Sequence, residues 1–227
     1  MEVYFVGTNR SSAETQAIRE SKPRKLLCSY FYFRTKGFKE YIERIQYKPL
    51  IMLDSGAWSA FTTGKNISLV DYISFIEVNK IYIDNYIALD VIGDSEMTYD
   101  YYRIMRKKGL NPIPVFHYGS DEKYLKLYSN DTNYIALGAT VPIKDKGIVA
   151  KWINNLQFRF PNIEFHLLGS SSQKITMWTD IKSCDSSTWI MSAVMGNPKH
   201  IRGKVQKAKF NIETIQELSQ QKQLKLF

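Results

Sequence analysis

The sequence predicts an α/β protein, a single (β/α)8 barrel. Three observations carry that expectation. Short apolar runs recur along the chain, amphipathic stretches separate them, and each run ends on a glycine or a polar residue. Buried strands alternating with helices imply a parallel sheet. Eight such units favour a closed barrel; a doubly wound open sheet is the alternative.

The apolar runs place strands at Val3–Val6, Leu26–Phe31, Leu50–Leu53, Tyr86–Leu89, Ile113–Phe116, Tyr134–Leu137, Glu164–Leu168 and Ile181–Cys184. Apolar residues at helical spacing predict helices over Leu69–Val78, Thr98–Lys108 and Lys151–Phe160. Gly109 stands where a C-terminal cap glycine belongs, and Pro161 follows the third helix. One domain spans 1–227, with the barrel over about 3–195 and a basic helical segment over 196–227.

Hydrophobic residues make up 44% of the chain, enough for a sizeable core and against disorder. Lys plus Arg number 31 against 22 Asp plus Glu, a net charge of +9. That balance suits a polyanionic partner, although solubility alone accounts for it as well. Cys28 and Cys184 stand far apart and read as reduced thiols, with no metal knuckle and no metal-ligand spacing elsewhere. The apolar start is too short for a signal peptide, and no run reaches about 18 apolar residues, so a cytoplasmic protein off the membrane is expected. Neither a phosphate-binding nor a dinucleotide-binding glycine loop is present, and no cofactor is expected.

The residues that end each run are more informative. They are Gly7-Thr8, Asp54-Ser55-Gly56, Asp90, His117-Tyr118-Gly119, Gly138, Gly169-Ser170 and Asp185-Ser186. In a barrel they share one rim, the face where active sites of this fold sit. Each acid alone could cap a helix. Three acids and a histidine on one rim exceed what capping requires. His166, inside a strand, reads as a core histidine.

These residues resemble a known family. Leu53-Asp54-Ser55-Gly56-Ala57-Trp58 is similar to the Asp-Ser-Gly-Gly-Phe signature of tRNA-guanine transglycosylases. In the same order, Ala88-Leu89-Asp90 resembles their base-recognising strand, and Val115-Phe116-His117-Tyr118-Gly119 stands at their Gln-Gly-Gly turn. Ile135-Ala136-Leu137-Gly138-Ala139 resembles their Gly-Gly loop, Leu167-Leu168-Gly169 their Leu-Met-Gly strand end, and Ser183-Cys184-Asp185-Ser186 the site of their nucleophilic Asp. The departures are specific. The zinc-binding cysteines are missing, Ala57 and Ser59 replace a Gly and the Gln of the signature, His117 replaces a Gln, and the large tRNA-binding insertions cannot fit. The pattern is more similar to the compact, zinc-free branch that acts on DNA, which includes DNA deazaguanine transglycosylases and base-excising relatives.

The resemblance implies cleavage of a nucleobase from its sugar. Asp185 is expected as nucleophile or oxocarbenium stabiliser, and Asp54 as general acid and base. Asp90, His117 and the Gly138–Ala139 backbone should read the base, with Trp58 and Tyr118 stacking on it. The base must be flipped out or single-stranded. Lys199, Arg202, Lys204, Lys207 and Lys209, with His200 beside them, should hold phosphates, because no acid interrupts them. The expected partner is nucleic acid, DNA before RNA, in a glycosylase that leaves an abasic site, with defence against phages carrying altered DNA as the implied setting. The alternatives are a transglycosylase exchanging guanine for a 7-deazaguanine, and a non-catalytic nucleic-acid-binding barrel.

Overall fold

The computed structural model describes the backbone of residues 1–224 and the side chains of residues 1–220; residues 225–227 of the predicted basic segment lie outside the described residues. Its strands are β1 (Glu2–Gly7), β2 (Lys25–Ser29), β3 (Leu50–Asp54), β4 (Asn85–Tyr86), β5 (Val115–His117), β6 (Tyr134–Gly138), β7 (Glu164–Leu167) and β8 (Ser183–Ser186). Helices follow them: α1 (Ser12–Ser21), α2 (Tyr30–Phe33), α3 (Phe38–Ile45), α4 (Ala57–Thr62), α5 (Leu69–Asn79) and α6 (Ser95–Lys107) in the first half. The second half adds α7 (Glu122–Ser129), α8 (Lys146–Arg159), α9 (Gln173–Trp178), α10 (Thr188–Val194) and α11 (Lys204–Leu224).

All strand pairs are parallel, in the order β4-β3-β2-β1-β8-β7-β6-β5. A bridge between Ile87 and Ile113 joins the two ends of that sheet, with Ala88 N–H donating to the Ile113 carbonyl at 2.8 Å and Ile113 N–H to the Tyr86 carbonyl at 2.8 Å. The ring is therefore closed, and the open doubly wound sheet is excluded.

Side chains alternate across each strand. Tyr4, Leu27, Met52, Ile87, Val115 and Ala136 pack together inside the barrel. Their neighbours Phe5, Leu26, Leu53, Phe116, Leu137 and Phe165 face outward into the helical layer. Each such side chain contributes roughly 1.5–3 kcal/mol on full burial, so a one-residue slip would forfeit many at once. Cys28 and Cys184 belong to the outward set as buried side chains, and burial pushes the Cys28 thiol well up. This parity also sends the last inward position of most strands to the carboxyl-end rim.

Several boundaries differ from the sequence expectation. The strand expected over Leu26–Phe31 stops at Ser29, and Tyr30–Phe33 turn into α2. There Tyr30 packs on Tyr72 and Phe75, and Phe33 on Phe38 and Tyr41, so the aromatic run serves the outer layer. β4 is shorter than expected, and β8 begins two residues later than Ile181, which takes Asp185 into the strand opposite Tyr4. The predicted helices appear as α5, α6 and α8, the last two starting earlier at their caps Asp94 and Asp145. Gly109 follows α6 with φ +81°, the left-handed conformation of a helix-ending glycine. The basic segment forms α11, which packs on α10, α1 and β1 as part of the outer layer. No helix among the described residues is long and apolar enough to cross a membrane.

Candidate active site at the carboxyl ends of the strands

A cavity of about 620 Å³ opens at the carboxyl ends of the strands. Asp54, Asp90 and Asp185 all line it, from β3, the β4–α6 loop and β8. None of the three caps a helix. Gly56 precedes α4, Asp94 caps α6 by accepting from Met97 N–H, and Ser187 precedes α10. The carboxylates are thus free of the structural duty that could have explained them.

The Asp54-Ser55-Gly56 turn gives each residue a distinct task. Asp54 Oδ2 accepts from Gly56 N–H at 3.0 Å. Ser55 is fully buried; its Oγ accepts from Ala57 N–H at 3.2 Å and donates to Asp90 Oδ1 at 2.9 Å. Gly56 has φ +78°, and a Cβ there would stand 2.4 Å from Phe31 Cβ and 2.6 Å from Ser29 Oγ. Only glycine fits both the conformation and the space.

Asp90 is held on both sides. Its Oδ2 meets His117 Nε2 at 2.9 Å, while Oδ1 takes the Ser55 hydroxyl. His117 is 5% exposed and sits behind Asp90 rather than in the cavity lining. Gly138 makes room for it: a Cβ on Gly138 would lie 2.6 Å from His117 Cδ2. The close approach anticipated at Gly138 is therefore used by this histidine. Ala139 lines the cavity with φ +58°, an uncommon left-handed conformation for a residue with a side chain.

Asp185 Oδ1 accepts from Gly169 N–H at 2.7 Å. His166 Nε2 lies 3.5 Å from the same oxygen, beyond a good hydrogen bond, while its Nδ1 pairs with Ser183 Oγ at 2.7 Å. Ser183 Oγ in turn meets the Tyr134 hydroxyl at 2.5 Å. His166 is a buried barrel histidine, and it also underlies Asp185.

The electrostatics separate Asp54 from an ordinary carboxyl. Burial, then the negative charges of Asp90 and Asp185, push its pKa up to about 7; the Gly56 N–H and the Ser29 hydroxyl oppose the shift. Asp54 is half-buried as a residue and lines the cavity, so it remains in reach of a bound molecule. The three carboxylates line the cavity without forming a metal-binding cluster among the described residues.

The other expected site residues divide. Trp58 lines the cavity, is 38% exposed and leans on Phe61. Tyr118 is not among the lining residues; its ring packs edge-on against Trp152. Lys204 lines the cavity from the start of α11. Lys207 is committed to the Gly196 carbonyl, and Lys209 to Glu20 at 2.9 Å. Lys199, His200 and Arg202 are exposed outside the lining.

The sequence reading missed Ser55 as the link to Asp90, and Glu14 in the first turn of α1. Glu14 is 2% exposed and accepts from Thr8 Oγ1 at 2.9 Å and Asn9 N–H at 3.0 Å. It thereby shapes the β1–α1 loop at the cavity mouth, where Arg10 stacks over the Tyr32 ring at 5.4 Å. An acid two places into a capped helix gives little sequence signal of such a role.

No family model and no curated protein matches this chain. Solved structures do resemble it in fold. A 4-hydroxy-2-oxoglutarate aldolase/2-deydro-3-deoxyphosphogluconate aldolase from TTHB1 superposes with a TM-score of 0.53 at 10% identity, over 92% of this chain and 93% of that one. The carboxyl transferase domain of Rhizobium etli pyruvate carboxylase with pyruvate gives 0.53 at 11% identity, over 95% of this chain and 48% of that chain. The same enzyme's T882A form with acetyl coenzyme-A gives 0.56 at 11% identity, over 95% and 27%. This chain spans about half of the carboxyl transferase domain. At these identities the likeness establishes the (β/α) barrel.

Proposed function

We propose that this protein is an enzyme that cleaves the N-glycosidic bond between a nucleobase and its sugar in a nucleic acid, DNA before RNA. The observation that carries the reading is one cavity lined by three carboxylates in different surroundings, with Asp54 poised near neutral pH. Carboxylates whose environments set them apart are the usual signature of divided acid and base roles.

In the proposed reaction the base enters the cavity flipped out of its stack. Asp185 uses Oδ2, the oxygen left free by Gly169, to face C1′. The C1′–N bond breaks and its electron pair leaves with the base. Protonated Asp54 delivers its proton to the base, and the Asp185 carboxylate bonds or stabilises the cationic C1′. Water then attacks C1′, and ionised Asp54 takes its proton. The products are a free base and an abasic sugar. Asp90, fixed by Ser55 and His117, presents its carboxylate to donors on the base edge. Lys204 and Arg10 stand at the mouth for phosphates.

The similarity of the Asp54, Asp90, Gly138 and Asp185 segments to transglycosylases supports the same bond. Excision and exchange differ in what resolves C1′. The test is incubation with plain and modified-base DNA and RNA, with mass spectrometry of small products, with and without added free base. Excision predicts released base matched by abasic sites. Exchange predicts release only when a second base is supplied. Release from no substrate, with the protein folded and binding nucleic acid, would leave the non-catalytic binding barrel.

A further inference from the structure

Beside the main cavity lies a second depression of about 470 Å³. The two share Arg10 and Ser11, so they are contiguous through the β1–α1 loop. Three arginines line the second one: Arg10 from the loop, Arg19 from α1 and Arg44 from α3. No acidic residue is among its lining residues. Among the described residues none of these three guanidiniums has a carboxylate partner within ion-pair distance: Glu14 is turned inward to the loop and Glu20, beside Arg19, is paired with Lys209.

Arg10 and Arg44 are fixed in place. Arg10 is braced on Tyr32, and Arg44 Nη2 donates to Asn9 Oδ1 at 3.0 Å while its Nε donates to the Glu40 carbonyl at 3.2 Å. Like charges gathered without an ion-pair partner repel one another, and an anion seated among them relieves that repulsion. Planar guanidiniums with several donors suit a phosphate better than a single carboxylate.

We infer that this arginine depression binds a backbone phosphodiester adjoining the nucleotide held in the main cavity. The inference rests on the reading of the main cavity as a nucleic-acid site and adds where the strand runs: over the β1–α1 loop toward α1 and α3. The basic C-terminal segment then supplies Lys204 from the start of α11, with Lys207 and Lys209 engaged by Gly196 and Glu20.

The experiment measures binding of a fluorescein-labelled single-stranded oligonucleotide by anisotropy across a range of salt. It compares wild type with an Arg19→Gln, Arg44→Gln double variant, with thermal melts to show that both are folded. Each phosphate contact contributes about 0.7 to the log–log salt slope on a single strand, so losing this one contact should make the double variant shallower by about 0.7. Base release, measured on the same strand, should show a raised KM with an unchanged kcat. If the glutamine pair does not fold, the Arg19→Lys, Arg44→Lys pair and the single Arg10→Gln variant decide. The lysine pair should keep the slope, and Arg10→Gln should lower it.

A nucleoside 5′-monophosphate tests a terminal phosphate as the other source. It should bind wild type and the glutamine pair equally; an equal loss for the mononucleotide and the strand would overturn the assignment to the backbone. Wild type that binds the strand with a slope unaffected by these substitutions would overturn the inference and leave the proposed function standing. Wild type that binds no nucleic acid would sink both.

Discussion

Replacing Asp54 by Asn separates its acid–base role from its place in the fold, and the size of the effect follows from the structure. The native carboxyl holds its proton to about pH 7, with 3.8 as the reference for the unfolded chain. The folded state therefore binds more protons than the unfolded state between those values. Stability supplied by protonated Asp54 is complete below the unfolded pKa and is lost as pH rises through the folded one. At about 1.4 kcal/mol per unit, the loss approaches roughly 4 kcal/mol over the whole window and about 3 kcal/mol between pH 5 and pH 8. For a chain of this size the roughly 3 kcal/mol corresponds to about 6–12 °C in melting temperature. The amide of the Asp54→Asn variant can still accept from Gly56 N–H and carries no charge to repel Asp90 and Asp185. The assay is thermal unfolding of wild type and variant at matched pH values. The difference between them removes the other titrating groups. Wild type should lose ground to the variant as pH rises from 5 to 8, and base release should fall by a factor of about 10² to 10⁴ in the variant. Parallel melting curves across that window would show that Asp54 titrates as an ordinary carboxyl, and the proposed proton donor would fall with it.

Three further outcomes are expected. Asp185→Asn should abolish base release while oligonucleotide affinity stays within a few-fold, because its carboxylate acts on the transition state; wild-type turnover in this variant would move the reacting carboxylate elsewhere. Gly56→Ala should destabilise the fold by about 3 kcal/mol, read from denaturant unfolding, because it adds left-handed strain to a contact with Phe31 Cβ. Lys204→Ala should flatten the salt dependence of oligonucleotide binding, whereas Lys209→Ala should leave it unchanged and cost less than about 1 kcal/mol, since Lys209 serves a half-exposed pair with Glu20.

The barrel was legible because its strands obey a simple rule. Apolar runs bounded by polar or glycine residues placed all eight strands, and the same boundaries placed Asp54, Asp90 and Asp185 on one rim. Strand ends were less legible. The Tyr30–Phe33 run has strand-forming residues, yet its rings are drawn outward by Tyr72, Phe75 and Phe38, contacts that are distant in sequence. Tyr118 and Lys209 were read from residue type alone, and their partners, Trp152 and Glu20, come from other elements of the fold. Ser55 was visible in its motif, but its bond to Asp90 spans 35 positions and needs β3 and β4 to pair side by side. Arg19 and Arg44 line one depression because α1 and α3 pack side by side.

The Ile87–Ile113 bridge has a mechanical consequence. Elsewhere around the ring neighbouring strands share longer registers, while this join rests on a single bridge. Asp90 follows one side of the join and His117 ends the other, and their 2.9 Å contact spans it. Asp90, which lines the cavity, and His117 behind it thus act as a clasp on the barrel's weakest seam. Breathing of the barrel and loosening of the cavity become one motion, and an occupant that engages Asp90 should tighten the cylinder as a whole. Hydrogen exchange reads this directly: the amides of Ala88 and Ile113 should exchange faster than those of Leu27 and Met52, and faster still in a His117→Ala variant.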